Sequence, residues 1–309
     1  MTFDRVERLI GKGNLERLAD KRVAVLGLGS GGGFAALSLA MSGVRRFVLV
    51  DDDVLEAANL VRHVADDRYL GVAKAEAVAD LIRHRNPQAE IVAVRGRVED
   101  HRDLLTGVDL VVVGVDGEAP KYVINEVCLD QSAPAIYAGV YERGEGGDVC
   151  LIRPLDGPCY ACWAASLRDD AAVTAASVEE LDYGMIGPGG TLEAQPGLWM
   201  HVVRVAAAQA DLALNELLRG ASAYRELPGN TVILANVALE ILSGEVALPQ
   251  TALWATVERD PDCLVCGGRW REREGVVSAM SLDQLVQASG LIEAQPDHDT
   301  PERHEDAAL

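Results

Sequence analysis

Asp51, Asn59, Arg62, Lys74 and Asp116 fall in loops or at helix starts near the carboxyl ends of apolar strands, downstream of a turn holding Gly27, Gly29 and Gly32. A glycine turn between a strand and a helix brings backbone N–H groups close to a phosphate, and the helix N-terminus adds unpaired donors. Asp51, about twenty residues beyond the glycines, is placed to bind ribose hydroxyls. Asp116 follows the apolar run Leu110–Gly114 and can bind Mg²⁺. Lys74, Arg62 and an incoming arginine can neutralise phosphate charge as pyrophosphate leaves. A NAD-dependent oxidoreductase would use the glycines and Asp51 but has no use for two cations and a further acid. An enzyme attacking the α-phosphate of ATP uses all of them. Each residue alone is an ordinary surface charge, and the glycines alone could be a structural turn; their combination carries the reading.

Cysteine supplies a second chemistry. Two C-x-x-C pairs, Cys159/Cys162 and Cys263/Cys266, stand about a hundred residues apart and suit a tetrahedral four-thiolate zinc site. With no open ligand position such a site is structural. Two redox-active pairs are the alternative, and the absence of a thioredoxin-like pattern weighs against them. Cys128 and Cys150 have apolar neighbours and read as buried core thiols.

These residues need a scaffold. Strands are expected at Val23–Leu26, Phe47–Val50, Ile91–Val94, Leu110–Gly114 and Ala135–Ala138, with helices at Phe34–Met41, at Ala73–His84 and from Lys121 onward. The alternation predicts a mainly parallel sheet with right-handed crossovers. Residues 3–20 read as an amphipathic helix and turn burying Leu9, Ile10, Leu15 and Leu18 on one face. Beyond Gly139 the texture turns antiparallel. Ser166–Asp182 reads as a loop and Leu198–Leu218 as the longest helix, while Thr231–Ile241 fits a strand or a helix. Ser281–Ser289 suits a short helix, and the polar end of the chain suits disorder.

Composition narrows the partners. A net charge of -20 over 309 residues argues against a nucleic-acid surface. No apolar run approaches the ~20 residues that cross a membrane, and the start MTFDRVERLIG has no secretory core. A cytoplasmic setting is expected, which favours ligand or free-thiol roles for the cysteines.

The segments GLGSGG and DDDVLEAANLVR, Lys74, VGVDG around Asp116 and the two C-x-x-C pairs resemble the ThiF/MoeB superfamily of ubiquitin-activating-enzyme-like adenylyltransferases. The resemblance covers roughly residues 3–270, and the Asp-x7-Asn-x2-Arg spacing is its most specific part. It implies an α/β, Rossmann-like three-layer α/β/α fold, a mainly parallel sheet extended by antiparallel strands, and a structural zinc on the four cysteines. It also implies Mg²⁺-ATP as cosubstrate, usually a homodimer, and adenylation of the C-terminal glycine carboxylate of a small ubiquitin-fold carrier ending in Gly-Gly.

Gly27, Gly29 and Gly32 match the phosphate glycines, and Asp51 the ribose acid, with Asp53 beside it in the nucleotide set. Asn59, Arg62 and Lys74 match the ATP-handling residues, and Asp116 the magnesium acid. Arg5 matches an N-terminal arginine that enters the partner subunit's active site, favoured over Arg8 by counting back from Gly11. The implied division is 1–20 as an N-terminal helix reaching a partner, 21–138 as a nucleotide-binding half, 139–270 as a zinc and carrier half, and 271–309 as a tail. One departure matters: Trp163–Tyr183, the loop where many relatives carry a nucleophilic cysteine ahead of a Gly-x-x-Gly-Pro, contains none. A thioester at that position is therefore excluded, and the adenylate would pass directly to a sulfur donor, a conjugating enzyme's thiol or an amine. The rivals are a same-fold enzyme acting on a peptide or small carboxylate and a non-catalytic scaffold.

Overall fold

Short runs of Val, Leu, Ile and Ala, apolar on both sides, suit strands covered on both faces, and the computed structural model builds its sheet from them. It describes residues 3–174, 198–242 and 245–273. The Gly184–Pro188 segment, the Ser281–Ser289 helix and the polar end anticipated from sequence lie outside the described residues. The chain divides into two compact units, 1–267 and 268–309. Of the second, residues 268–273 are described, and there the Arg273 guanidinium sits 5.7 Å from the Trp270 ring.

In the first unit the elements run α1 (Asp4–Ile10), α2 (Lys12–Asp20), β1 (Arg22–Leu26), α3 (Ser30–Met41), β2 (Arg46–Asp51), α4 (Lys74–Arg85), β3 (Glu90–Arg95), β4 (Leu110–Val113), α5 (Glu118–Gln131), β5 (Ala135–Val140), β6 (Gly146–Ile152), α6 (Tyr160–Thr174), α7 (Trp199–Leu217), β7 (Thr231–Ala235), β8 (Leu239–Leu242), β9 (Glu245–Ala247) and β10 (Thr251–Ala255). The helix α8 (Gly267–Arg273) follows. The main sheet has the order β10-β7-β6-β5-β4-β1-β2-β3, and β8 pairs with β9 separately. Pairing is parallel from β3 through β5 and antiparallel among β5, β6, β7 and β10, so the mixed sheet expected from sequence is present.

The period of two along each strand sorts the core. Val23, Val25, Leu49 and Val112 join a cluster with residues of α3, α4 and α7. Ala24, Leu26, Val48 and Val113 face the opposite cluster, which holds residues of α5 and α6. Among the described residues no helix is long and apolar enough to cross a membrane.

Four expectations change. The segment 3–20 forms two helices divided at Gly11, whose φ of 86° ends the first. The helix α1 buries nothing, and Leu9 is 80% exposed rather than facing the core. The helix α3 starts at Ser30, four residues before the predicted start, so the run Gly31–Gly33 forms its first turn, where a Cβ on Gly32 would collide with the Gly27 carbonyl oxygen. Residues 166–174 of the anticipated loop continue α6. Thr231–Ile241 resolves into β7 and most of β8.

Candidate active site

The sheet reverses its winding between β1 and β4. Chains leaving those two strands diverge to opposite faces, and the crevice they leave is where open α/β sheets hold ligands. A cavity of about 240 Å³ lies there, against the carboxyl ends of β1, β2, β3 and β4. Gly27, Gly29, Asp51, Asp53, Lys74 and Asp116 all line it.

The three glycines do different work. Gly27 has φ +82°, and a Cβ on it would lie 2.6 Å from the Gly114 carbonyl carbon. A Cβ on Gly32 would collide with the Gly27 carbonyl oxygen, and one on Gly114 would lie 2.6 Å from that same oxygen. Gly27, Gly32 and Gly114 therefore form a backbone-to-backbone contact that joins the β1–α3 turn to the end of β4. Gly29 differs: a Cβ there would meet nothing within 4 Å, and the residue faces the cavity. Its lack of a side chain is not needed for packing, and it leaves the backbone open to a ligand.

Leu28, between these glycines, is clamped from two sides. The Asp51 carboxylate accepts its N–H and also that of Asp53, at 2.9 Å. The His63 ring, buried, meets the Leu28 carbonyl through Nε2 at 2.7 Å while Nδ1 accepts the Ala65 N–H at 3.0 Å. Nε2 must therefore carry the proton, and the ring is neutral. Burial pushes the Asp51 carboxyl above its ordinary value even though the Leu28 and Asp53 N–H groups and Lys74 favour the charge. Burial holds the His63 imidazole below its ordinary value, with the Lys74 charge adding to the fall while the Leu28 contact and Asp51 oppose it.

Lys74 reaches the cavity through a short antiparallel zip. Leu55 N–H donates to Val72, Gly71 N–H to Leu55 and Lys74 N–H to the Asp53 carbonyl. Lys74 thus starts α4 beside the acidic run, and its Nζ lies 2.6 Å from Asp53 Oδ2. Asp53, placed with the nucleotide residues from sequence, is the tether of that lysine. Asp116 is exposed on the cavity wall and makes no ion pair among the described residues.

Not every predicted residue lines the wall. Asn59 and Arg62 lie on a 3-10 turn, Ala57–Arg62, where the Asn59 side chain closes a capping box with Glu56. Arg62 is exposed and directly precedes the clamping His63. Arg5 is exposed on α1 without an ion pair among the described residues, whereas Arg8 pairs with Asp4 at 3.0 Å. In the other direction, Arg97 and Glu99 line the cavity although sequence reading passed over them. They follow β3 as Asp116 follows β4, so the same strand-end rule would have found them. The wall carries Asp51, Asp52, Asp53, Glu99 and Asp116 against only Lys74 and Arg97. A bare polyphosphate would be repelled there, so an anion of that kind needs accompanying cations.

The four paired cysteines come together on the second face. Sγ–Sγ separations are 3.8 Å for Cys159–Cys162, 3.8 Å for Cys159–Cys263 and 3.5 Å for Cys162–Cys266. Four thiolates at ~2.3 Å from a tetrahedral ion lie about 3.8 Å apart, so the cluster fits zinc. All four are buried. Cys128 and Cys150 are buried in the core beside Tyr137, and burial pushes the Cys128 thiol up to about 12, which leaves it protonated and unreactive at neutral pH.

Comparison with known proteins adds four findings. The ThiF family model matches residues 3–253. The SAMP-activating enzyme E1 of Haloferax volcanii is 36% identical over 156 residues, covering 50% of this chain and 57% of that protein. The mouse adenylyltransferase and sulfurtransferase MOCS3 is 31% identical over 254 residues, covering 81% of this chain and 48% of that protein. The chain thus spans about half the length of the curated relatives it matches. Its fold is similar to that of E. coli MccB, with a TM-score of 0.62 at 22% identity over 83% of this chain and 67% of the other.

The glycine analysis predicts that Gly32→Ala destabilises the fold by about 3 kcal/mol or more. Gly29→Ala should leave the melting temperature close to the parent's yet weaken ATP binding by about tenfold or more, roughly 1.4 kcal/mol. Thermal melts alongside calorimetric titration with ATP separate the two. The His63 clamp predicts a pH effect of known sign. A histidine held below 6.5 contributes stability that is present above that value and lost as pH falls through its folded value. Protonated Nδ1 would also face the Ala65 N–H donor. His63→Gln keeps a donor for the Leu28 carbonyl and does not titrate, so its melting temperature should fall less than the parent's between pH 7.5 and pH 5.

Proposed function

The chain belongs to the ThiF family, and from that premise we propose that it adenylates the C-terminal glycine carboxylate of a small ubiquitin-fold carrier protein, forming an acyl-adenylate and pyrophosphate from ATP. The observation that carries this reading is the convergence of an open glycine, Gly29, with Asp51, Lys74 and Asp116 on one crevice at the strand ends. Relatives named as activating enzymes and adenylyltransferases support it.

In this reading ATP lies across the carboxyl edge of the sheet. Asp51 receives the ribose hydroxyls through carboxylate lone pairs not engaged by Leu28 and Asp53. Gly29 lets the triphosphate approach the α3 N-terminus, whose free N–H groups favour an anion. Lys74, aimed into the crevice by Asp53, and Arg62, one residue from the clamp on Leu28, offset phosphate charge. Magnesium on Asp116 would supply the further positive charge that the acid-rich wall requires. A carrier carboxylate oxygen attacks the α-phosphorus, the bond to the bridging β-phosphate oxygen breaks, and pyrophosphate departs. No proton has to move, so catalysis is positioning and electrostatics.

The remaining expectations join the same proposal. Zinc is held by Cys159, Cys162, Cys263 and Cys266 as a closed structural site. A homodimer would bring Arg5, exposed on helix α1, to the neighbouring crevice, with Asn59 completing the ATP set. No thioester forms on Cys128 or Cys150, and the adenylate passes directly to a sulfur donor or another acceptor. The halves 21–138 and 139–270 divide nucleotide binding from carrier binding.

ATP–pyrophosphate exchange with magnesium, run against ubiquitin-fold proteins ending in Gly-Gly, tests this. Exchange with one of them, lost on trimming its last glycine, is the expected result. Asp116→Ala and Arg62→Ala should each lower exchange by about a hundredfold or more without shifting the melting temperature. Near-normal exchange in both variants sinks the assignment. ATP binding without exchange for any carrier transfers the reading to a peptide or small carboxylate.

A further inference from the structure

The Asp116 turn and the cysteine cluster sit on different elements, yet one side chain links them. Asp116 and Gly117, with φ +78°, lead into α5, whose first residue is Glu118. Tyr160 stands between Cys159 and Ala161, inside the first C-x-x-C pair, and is fully buried. Its hydroxyl donates to Glu118 Oε2 at 2.7 Å. Its backbone N–H donates to Asn125 Oδ1 at 2.9 Å. Glu118 Oε1 in turn accepts from Lys121 Nζ at 3.3 Å, and Lys121 is itself buried.

Glu118, Lys121 and Asn125 stand at i, i+3 and i+7, one face of a helix. The cysteine knuckle therefore grips α5 at its first turn and again two turns on, fixing both its position and its rotation. The grip is stiff. The Tyr160 ring stacks between Tyr137 at 4.3 Å and Trp163 at 5.3 Å, and Trp163 Nε1 donates to Thr231 Oγ1 at 2.9 Å. Glu118 is also held in place by Lys121, because a buried ammonium that lost its carboxylate would be strongly destabilised.

We propose that Tyr160 is a positioning residue for Asp116: through Glu118 it fixes the start of α5, and with it the Val115–Gly117 turn that presents the Asp116 carboxylate to the crevice. The consequence would be magnesium affinity in the nucleotide complex set partly from the cysteine cluster. This rests on Asp116 as the magnesium acid of the proposed function. The effect is expected in metal affinity rather than in protein stability, since groups that orient a ligand from behind typically change metal binding by 10–100-fold.

The test uses the full chain. Tyr160→Phe removes one hydroxyl and keeps the ring stack and the Asn125 contact. ATP binding is titrated calorimetrically at stepped magnesium concentrations, with zinc content and melting temperature measured on the same preparations. The magnesium concentration for half-maximal ATP binding should rise about tenfold, with zinc content unchanged. Asp116→Ala is the reference for the premise and should abolish the magnesium dependence. An unchanged dependence in Tyr160→Phe beside a lost one in Asp116→Ala overturns the coupling and leaves the function standing. An unchanged dependence in Asp116→Ala overturns the premise and the coupling with it. Loss of zinc from Tyr160→Phe would make the residue a cluster support and also overturn the proposal.

Discussion

Everything at the crevice depends on three backbones passing within contact distance. Gly27, Gly32 and Gly114 touch without side chains between them, and this joins the turn after β1 to the end of β4. Two strands whose connections leave on opposite faces would otherwise splay, and the space between them would have no fixed shape. With the contact in place, the parallel ladder extends one residue past both strands, through Gly27 N–H to Val50 and Gly114 N–H to Leu26. Those extra bonds set the level at which Asp51 and Asp116 emerge. The conformational entropy that glycine loses on folding is offset by a site whose two acids stand at a defined separation.

Electrostatics then explains why the site carries a stability cost. Asp51 is buried enough that desolvation outweighs two backbone donors and a nearby lysine. A carboxyl raised in the folded state stabilises the protein only at low pH, and that contribution is lost as pH rises through its folded value. The ionised form of Asp51 is thus a burden to the fold. It is retained where it organises Leu28 and faces the crevice, as expected of a group kept for binding rather than for stability. The surrounding acids sharpen the same tension, since Lys74 and Arg97 cannot balance five carboxylates. A polyphosphate and its counter-cations would relieve it together.

Much of this was legible in the sequence because it follows short-range rules. The strands announce themselves by apolar runs, and the strand-end position of Asp116 needs only the end of Leu110–Gly114. The glycine spacing exposed the turn, though not that Gly29 differs from its neighbours; that depends on where Gly114 lies in space, 85 or so residues away in sequence. What stayed hidden was long-range or two-sided. His63 looks like any loop histidine until Leu28 is placed against it, and Tyr160 looks like a knuckle residue until Glu118 is placed against its hydroxyl. The N-terminal helix shows the opposite failure. Its periodicity is amphipathic, but periodicity states only that a face wants cover, and among the described residues α1 buries no side chain fully, with Ile10 packed on the core and Leu9 left exposed.

The cysteine cluster carries the logic from local to global. Its pairs lie 104 residues apart, and the chain between them builds α6, α7, β7 and the edge strand β10. Closing a loop of that length is entropically costly, so a four-sulfur tie matters most where contacts alone would least hold the ends together. The tie is made at the start of α6, the segment that also holds α5 through Tyr160. Residues contributed after β10 therefore reach, by two hydrogen bonds and a ring stack, the turn on which Asp116 sits. A site that, under the proposed function, works by positioning with no proton to transfer would be sensitive to such remote support, because a displacement of about 1 Å in a charged group is enough to forfeit much of its effect. On this argument the second half of the chain helps to fix the geometry of the first.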